Sequence, residues 1–123
     1  MTAQILIIED EPNLLSEIAE QLTFEDYQTL TASNGEEGLQ RIREHHLDLI
    51  ITDIAMPKLD GIDVVQAVRQ NLQLTTPIIL MSAFEASQFS DRLETIPNTN
   101  ISAILRKPVP LSTLLDAVSE ALS

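Results

Sequence analysis

Hydrophobic residues along this chain gather into short runs. Between the runs they recur every three or four positions. Four runs have strand length: QILIIE at 4–9, LDLIIT at 47–52, PIILMS at 77–82 and ISAILR at 101–106. Three are apolar almost without interruption, as strands covered on both faces tend to be. A fifth run, YQTLTA at 27–32, alternates and holds β-branched and aromatic residues, which suits a place nearer a sheet edge.

The intervening segments read as helices. PNLLSEIAEQLTF puts Leu15, Ile18, Ala19 and Leu22 on one stripe, and Pro12 suits a first helical turn. NGEEGLQRIREHH offers Asn34 as N-cap with Glu37 three residues on, the spacing of a capping box. IDVVQAVRQNL carries Ile62, Val65, Val68 and Leu72, and PLSTLLDAVSEAL opens on Pro110 and repeats Leu111, Leu114, Leu115, Val118 and Leu122. The weakest pattern is EASQFSDRLETI at 85–96, with Phe89, Leu93 and Ile96 as its apolar side. Strand then helix, five times over, predicts an α/β fold. Its sheet would be parallel, doubly wound and five-stranded, flanked by five helices. A length of 123 residues suits one domain over 1–123, with IPNTN at 96–100 as its loosest loop.

Charge narrows the function. Nineteen acids against seven Lys and Arg leave a net −12. That opposes direct nucleic-acid contact and binding to an anionic membrane, since both need a basic patch. The N-terminus has no basic segment before its short apolar run, and no stretch approaches the ~20 apolar residues of a membrane span. The chain has no cysteine, which fits a reducing compartment. A cytoplasmic domain is the expectation.

In an open parallel sheet, ligands bind beyond the carboxyl ends of the strands. The residues that close each run are therefore the informative ones. Glu9 and Asp10 close the first, Asp53 follows the third, Ser82 closes the fourth and Lys107 follows the last. Clustered carboxylates make a hard, oxygen-rich site suited to Mg2+, which takes few protein ligands and keeps several waters. A lysine and a hydroxyl beside them suit a phosphoryl group. A carboxylate between metal and lysine is a candidate phosphoryl acceptor. Each piece alone has an ordinary explanation: acids favour helix N-termini, and MP and DG are turn signals. The pattern gains weight from four strand ends carrying the right types in order. His45 and His46 close a helix C-terminus, where a cation is favoured, and read as a capping detail.

EDEP at 9–12, DIAMPKLDG at 53–61, MSA at 81–83 and RKP at 106–108 together resemble the receiver domain of two-component response regulators. The resemblance runs the length of the chain. It implies a flavodoxin-like sheet of order 2-1-3-4-5 and a phosphorylation-dependent switch. Asp53 would be the phosphoacceptor. Asp10 would be a direct Mg2+ ligand, Glu9 would act through water, and Ala55 would offer its backbone carbonyl. Ser82 and Lys107 would meet the phosphoryl group, and Lys107–Pro108 would be cis. Ala55 and Phe84 would flank the acceptor, and neither can orient a water, so self-dephosphorylation would be slow. A sensor histidine kinase or phosphotransfer protein would be the donor, and a downstream protein or fused output domain the receiver of the signal. The resemblance also allows a homodimer through the face of the fourth helix, fifth strand and fifth helix.

Some positions depart from the family pattern. Ile104 stands where an aromatic switch residue is usual, Asn100–Ile101 where Gly-Ala is common, and Val109 where Phe is frequent. The alternative reading is a receiver-like interaction module that is not phosphorylated. An aspartyl-phosphate hydrolase would need an acid two residues after the nucleophile, where this chain has Ala55. The resemblance implies that the protein would assist its own phosphorylation and dephosphorylation without turning over a separate substrate. A flavin-binding domain would need a hydroxyl-rich phosphate loop where EDEPN stands.

Overall fold

A computed structural model describes residues 2–123, with nothing stated of the Ala86 side chain. The strands are β1 (Gln4–Ile8), β2 (Gln28–Ala32), β3 (Leu49–Asp53), β4 (Ile78–Ser82) and β5 (Ile101–Arg106). All pair in parallel, as the strand–helix alternation predicts, in the order β2-β1-β3-β4-β5 that the resemblance implies. The helices are α1 (Pro12–Phe24), α2 (Gly35–Glu44), α3 (Gly61–Gln66), α4 (Ser90–Glu94) and α5 (Leu111–Leu122).

Alternation along each strand divides the core into two layers. Leu6, Ile8, Ile50 and Leu80 face one side and meet Val65 and Val68. Ile5, Ile7, Ile51 and Met81 face the other and meet Leu22 of α1 and Val118 of α5. The isoleucines of β1 are fully buried, each worth about 1.5–3 kcal/mol of transfer free energy. β2 and β5 are the edges. The alternating, half-exposed pattern of β5 follows from that place. Chain crossovers diverge between β1 and β3, so a crevice opens where those two strands end.

Three local features differ from the sequence expectation. Asn34 does cap α2, accepting from Glu37 N–H at 2.8 Å, but Glu37 reaches back to Ser33 N–H at 3.2 Å, one residue beyond a capping box. The third helix widens into a π segment over Ala67–Asn71, closed by Leu72 N–H on Ala67 C=O at 2.8 Å. There Arg69 donates from Nε to Thr99 C=O at 2.7 Å and from Nη1 to Leu74 C=O at 2.8 Å. It thus ties together the loops that lead into β4 and β5. The fourth helix is short. Residues 86–88 form a 3-10 turn, and only Ser90–Glu94 are α-helical. Phe89 and Ile96 at its flanks are buried, as their spacing implied.

Candidate functional site

The site lies where β1, β3, β4 and β5 end. Glu9 continues the β1–β2 ladder through its N–H to Ala32 C=O and is wholly buried. Its Oε1 accepts from Lys107 Nζ at 2.7 Å, and its Oε2 accepts from Glu11 N–H at 3.1 Å. Glu11 in turn caps α1. Its carboxylate accepts from the N–H groups of Asn13 and Leu14 at 3.1 and 2.6 Å, and Pro12 occupies the first turn. The N-cap of α1 therefore stands two residues after Glu9 and holds it through the Glu11 N–H. Asp10 lies between them, exposed.

Asp53 ends β3 and is 3 % exposed. Lys107 Nζ lies 3.2 Å from its Oδ2, while Oδ1 is buried and finds no hydrogen-bond partner among the described residues. The loop after Asp53 is drawn tight. Ile54 N–H donates to Met81 C=O, and Gly61 N–H donates to Ile54 C=O, both at 2.9 Å. A Cβ on Gly61 would stand 2.4 Å from Asp53 O, so only glycine allows this approach. Ala55 is half-buried in that loop.

Lys107 follows β5, and its N–H donates to Ser82 C=O at 2.8 Å. The Lys107–Pro108 peptide is cis. Ser82 is buried at the same edge, but its hydroxyl serves its own turn. Oγ accepts from Phe84 N–H at 2.8 Å and lies 3.1 Å from Phe84 C=O. The structure thus gathers Glu9, Asp10, Asp53 and Lys107, with Ser82 adjacent and engaged elsewhere.

Electrostatics at this edge are strained. Burial raises the pKa of Asp53, Lys107 opposes the rise, and the Asp10 charge adds to it. Burial likewise raises Glu9 against the pull of its Lys107 bond. Burial alone would lower Lys107, but the Glu9 bond and the Asp53 charge outweigh it, and the ammonium is held charged. Glu9, Asp10 and Asp53 each offer an oxygen, all within 4.8 Å of one another. Hard oxygen donors, one of them orphaned and buried, fit a small divalent cation such as Mg2+.

Sequence reasoning missed two contacts here. The direct Glu9–Lys107 pair spans 98 positions and has no local signal. A capping box joins Asp60 and Asp63, which the Asp-x-x-Asp spacing could have shown. His45 is the C-cap of α2 and His46 is exposed near Asp48, consistent with their reading as helix-end residues.

Fold and edge together define the CheY-like class of flavodoxin-fold domains. The chain belongs to the response regulator receiver domain family, whose sequence model matches residues 5–119. It is 41 % identical over 80 residues to the response regulator ArlR of Staphylococcus aureus. That match takes in 65 % of this chain but only 36 % of the relative's length. A receiver domain protein from Clostridium thermocellum superposes with TM-score 0.85 at 30 % identity, covering 98 % of this chain and 94 % of that one. The response regulator TrrA of Thermotoga maritima, solved with Mg2+ and BeF, gives TM-score 0.83 at 31 % identity, with 99 % and 100 % covered. Chemotaxis protein CheY4 of Vibrio cholerae gives 0.88 at 26 %, with 99 % and 100 % covered. Receiver domains are signalling modules. No described helix is long and apolar enough to cross a membrane.

Proposed function

We propose that Asp53 accepts a phosphoryl group from a phosphohistidine on a sensor histidine kinase or phosphotransfer protein. The observation that supports this best is the buried Asp53 carboxylate, held on Oδ2 by Lys107 and unpartnered on Oδ1. A carboxylate oxygen attacks phosphorus in line. The O–P bond forms, the P–N bond breaks, and the electron pair leaves on the imidazole nitrogen. Asp10, Asp53 and the Ala55 carbonyl would hold Mg2+, with Glu9 supporting it through water, and the bound ion would supply positive charge to offset that of the transferring group.

This chain's own residues do the rest. Lys107 supplies the second positive charge. Ser82 leaves its bonds to the Phe84 backbone and donates to a phosphoryl oxygen. The surface that changes is that of α4, β5 and α5, where Ile104 is 45 % exposed. A downstream protein, a fused output domain or a second copy of this chain would read it. A cytoplasmic location goes with this reading.

The test is incubation with a small acyl phosphate and Mg2+, followed by intact mass. One phosphoryl adduct is expected on the wild type and none on Asp53→Asn. The adduct is expected to survive desalting and gel filtration. Ala55 and the half-exposed Phe84 offer no group that could orient a water. No adduct, or an adduct retained by Asp53→Asn, would overturn the reading. Rapid loss without a phosphatase would overturn the slow-hydrolysis part.

A further inference from the structure

Helix α4 is weakly built. It has five residues, none of them buried, and its N-cap Phe89 makes no side-chain capping bond. Two buried anchors flank it, Phe89 and Ile96. Its third anchor is ionic. Arg92 Nη1 donates to Asp60 Oδ2 at 2.6 Å, and Nη2 reaches Asp60 Oδ1 at 3.3 Å and Asp63 Oδ1 at 3.2 Å.

Both acids are also held by each other's backbone. Asp60 Oδ1 accepts from Asp63 N–H at 2.9 Å, and Asp63 Oδ2 accepts from Asp60 N–H at 3.0 Å. Two neighbouring carboxylates in one capping box repel, and the guanidinium fork answers both. Asp60 is also the residue before Gly61, which is locked against Asp53 and Ile54. A short rigid path therefore runs from the Asp53 backbone through Gly61 and Asp60 to Arg92 and α4.

We infer that the Arg92 fork on Asp60 and Asp63 is a latch that couples the position of α4 to the loop carrying Asp53. This rests on the phosphoacceptor reading above. A change at Asp53 that moves residues 54–60 moves Asp60 and, through their capping box, Asp63, and α4 itself sets only the partly buried Leu93 against the core beside its flanking anchors. The fork is a positioning device, and Arg92 touches no reacting atom.

Amide hydrogen exchange by NMR tests this, with and without Mg2+ and beryllofluoride as the phosphoryl mimic. The variants are Arg92→Gln, Arg92→Lys and Asp60→Asn, the last of which keeps an N-cap. Arg92 is half-exposed, so both of its variants are expected to fold with melting temperatures near wild type, and Asp60→Asn, at a more buried position, somewhat below it. Without ligand, exchange over 90–94 is expected to quicken about five-fold in Arg92→Gln, the scale of a half-exposed ionic fork. Asp60→Asn should quicken it less, and Arg92→Lys should lie between wild type and Arg92→Gln. With Mg2+ and beryllofluoride, wild-type exchange over 90–94 should change, and Arg92→Gln should lose most of that change. Unaltered exchange in ligand-free Arg92→Gln would overturn the latch. A full response retained in Arg92→Gln would overturn the coupling. Phosphoryl uptake is scored apart, by intact mass on each variant. If the wild type takes up none, the acceptor reading falls and the coupling falls with it. If uptake is normal and α4 ignores Arg92, this inference alone fails.

Discussion

Replacing Asp53 by asparagine is expected to raise the melting temperature of the metal-free protein, while removing phosphoryl uptake and most stabilisation by Mg2+. Glu9, Asp10 and Asp53 bring carboxylate oxygens within 4.8 Å of one another. Like charges ~5 Å apart repel by about 3 kcal/mol at an effective dielectric near 20. Lys107 offsets part of this, because it contacts both Glu9 and Asp53. The amide keeps the shape of the carboxylate, discards a buried charge and leaves Lys107 to Glu9. A net gain of about 1–2 kcal/mol follows, or roughly 4–8 °C for a domain of this size.

The pH dependence carries the same sign. Glu9 and Asp53 both titrate above their ordinary values of 4.5 and 3.8. The folded protein therefore holds these protons more tightly than the unfolded chain. Stability in the absence of metal should rise as pH falls from neutral through the folded pKa values, the gain being complete below the ordinary ones. Asp60 works the other way. Its own burial opposes the shift, but the Arg92 bond outweighs it and lowers the pKa. Its contribution is present above 3.8 and is lost only as pH falls through the lower folded value. Thermal melts in chelator across this range check both signs. Asp53→Asn should show a shallower acid gain than wild type, with only Glu9 left to supply it. A variant less stable than wild type without metal would mean that Lys107 already neutralises the cluster.

Much of this was legible because the fold writes itself in local patterns. The runs at 4–9, 47–52 and 77–82 are continuous because β1, β3 and β4 are central and covered on both faces. Strand ends on a parallel sheet fall on one edge by construction, so the sequence pattern alone groups Glu9, Asp10, Asp53, Ser82 and Lys107. What stayed hidden depends on packing across the chain. Lys107 reaching Glu9 is decided by where β5 sits beside β4, not by any neighbour in sequence. Arg92 reaching Asp60 needs α4 to start after a 3-10 turn, and nothing in EASQFSDRLETI fixes that phase. The Ser82 hydroxyl turned back onto Phe84 is a choice of rotamer, which sequence pattern does not encode. The π turn at Ala67–Asn71 likewise interrupts an apolar spacing that continues unbroken through Leu72.

Lys107→Met is expected to be the most damaging single change at the site, for stability as well as phosphorylation. The ammonium is the group that joins β5 to the acids of β1 and β3, at 2.7 Å from Glu9 and 3.2 Å from Asp53. Glu9 has no exposure to water, so without Lys107 its carboxylate keeps only the Glu11 N–H. Removing one partner of a buried pair costs about 3–5 kcal/mol, because the other charge stays behind. Glu9 can escape part of that cost by taking a proton. The loss should therefore be about 3 kcal/mol or more near pH 8, and clearly smaller near pH 5. Denaturant melts at the two pH values read this directly. The double variant with Glu9→Gln separates the pair from the loss of packing. It should recover much of the stability near pH 8 and little near pH 5, giving a coupling energy that fades with acid. Equal stability of Lys107→Met and wild type at both pH values would mean that neither Glu9 nor Asp53 relies on the ammonium as a buried charge. Phosphoryl uptake by Lys107→Met separates the roles further, since Mg2+ can replace a positive charge but not the reach of a lysine from β5.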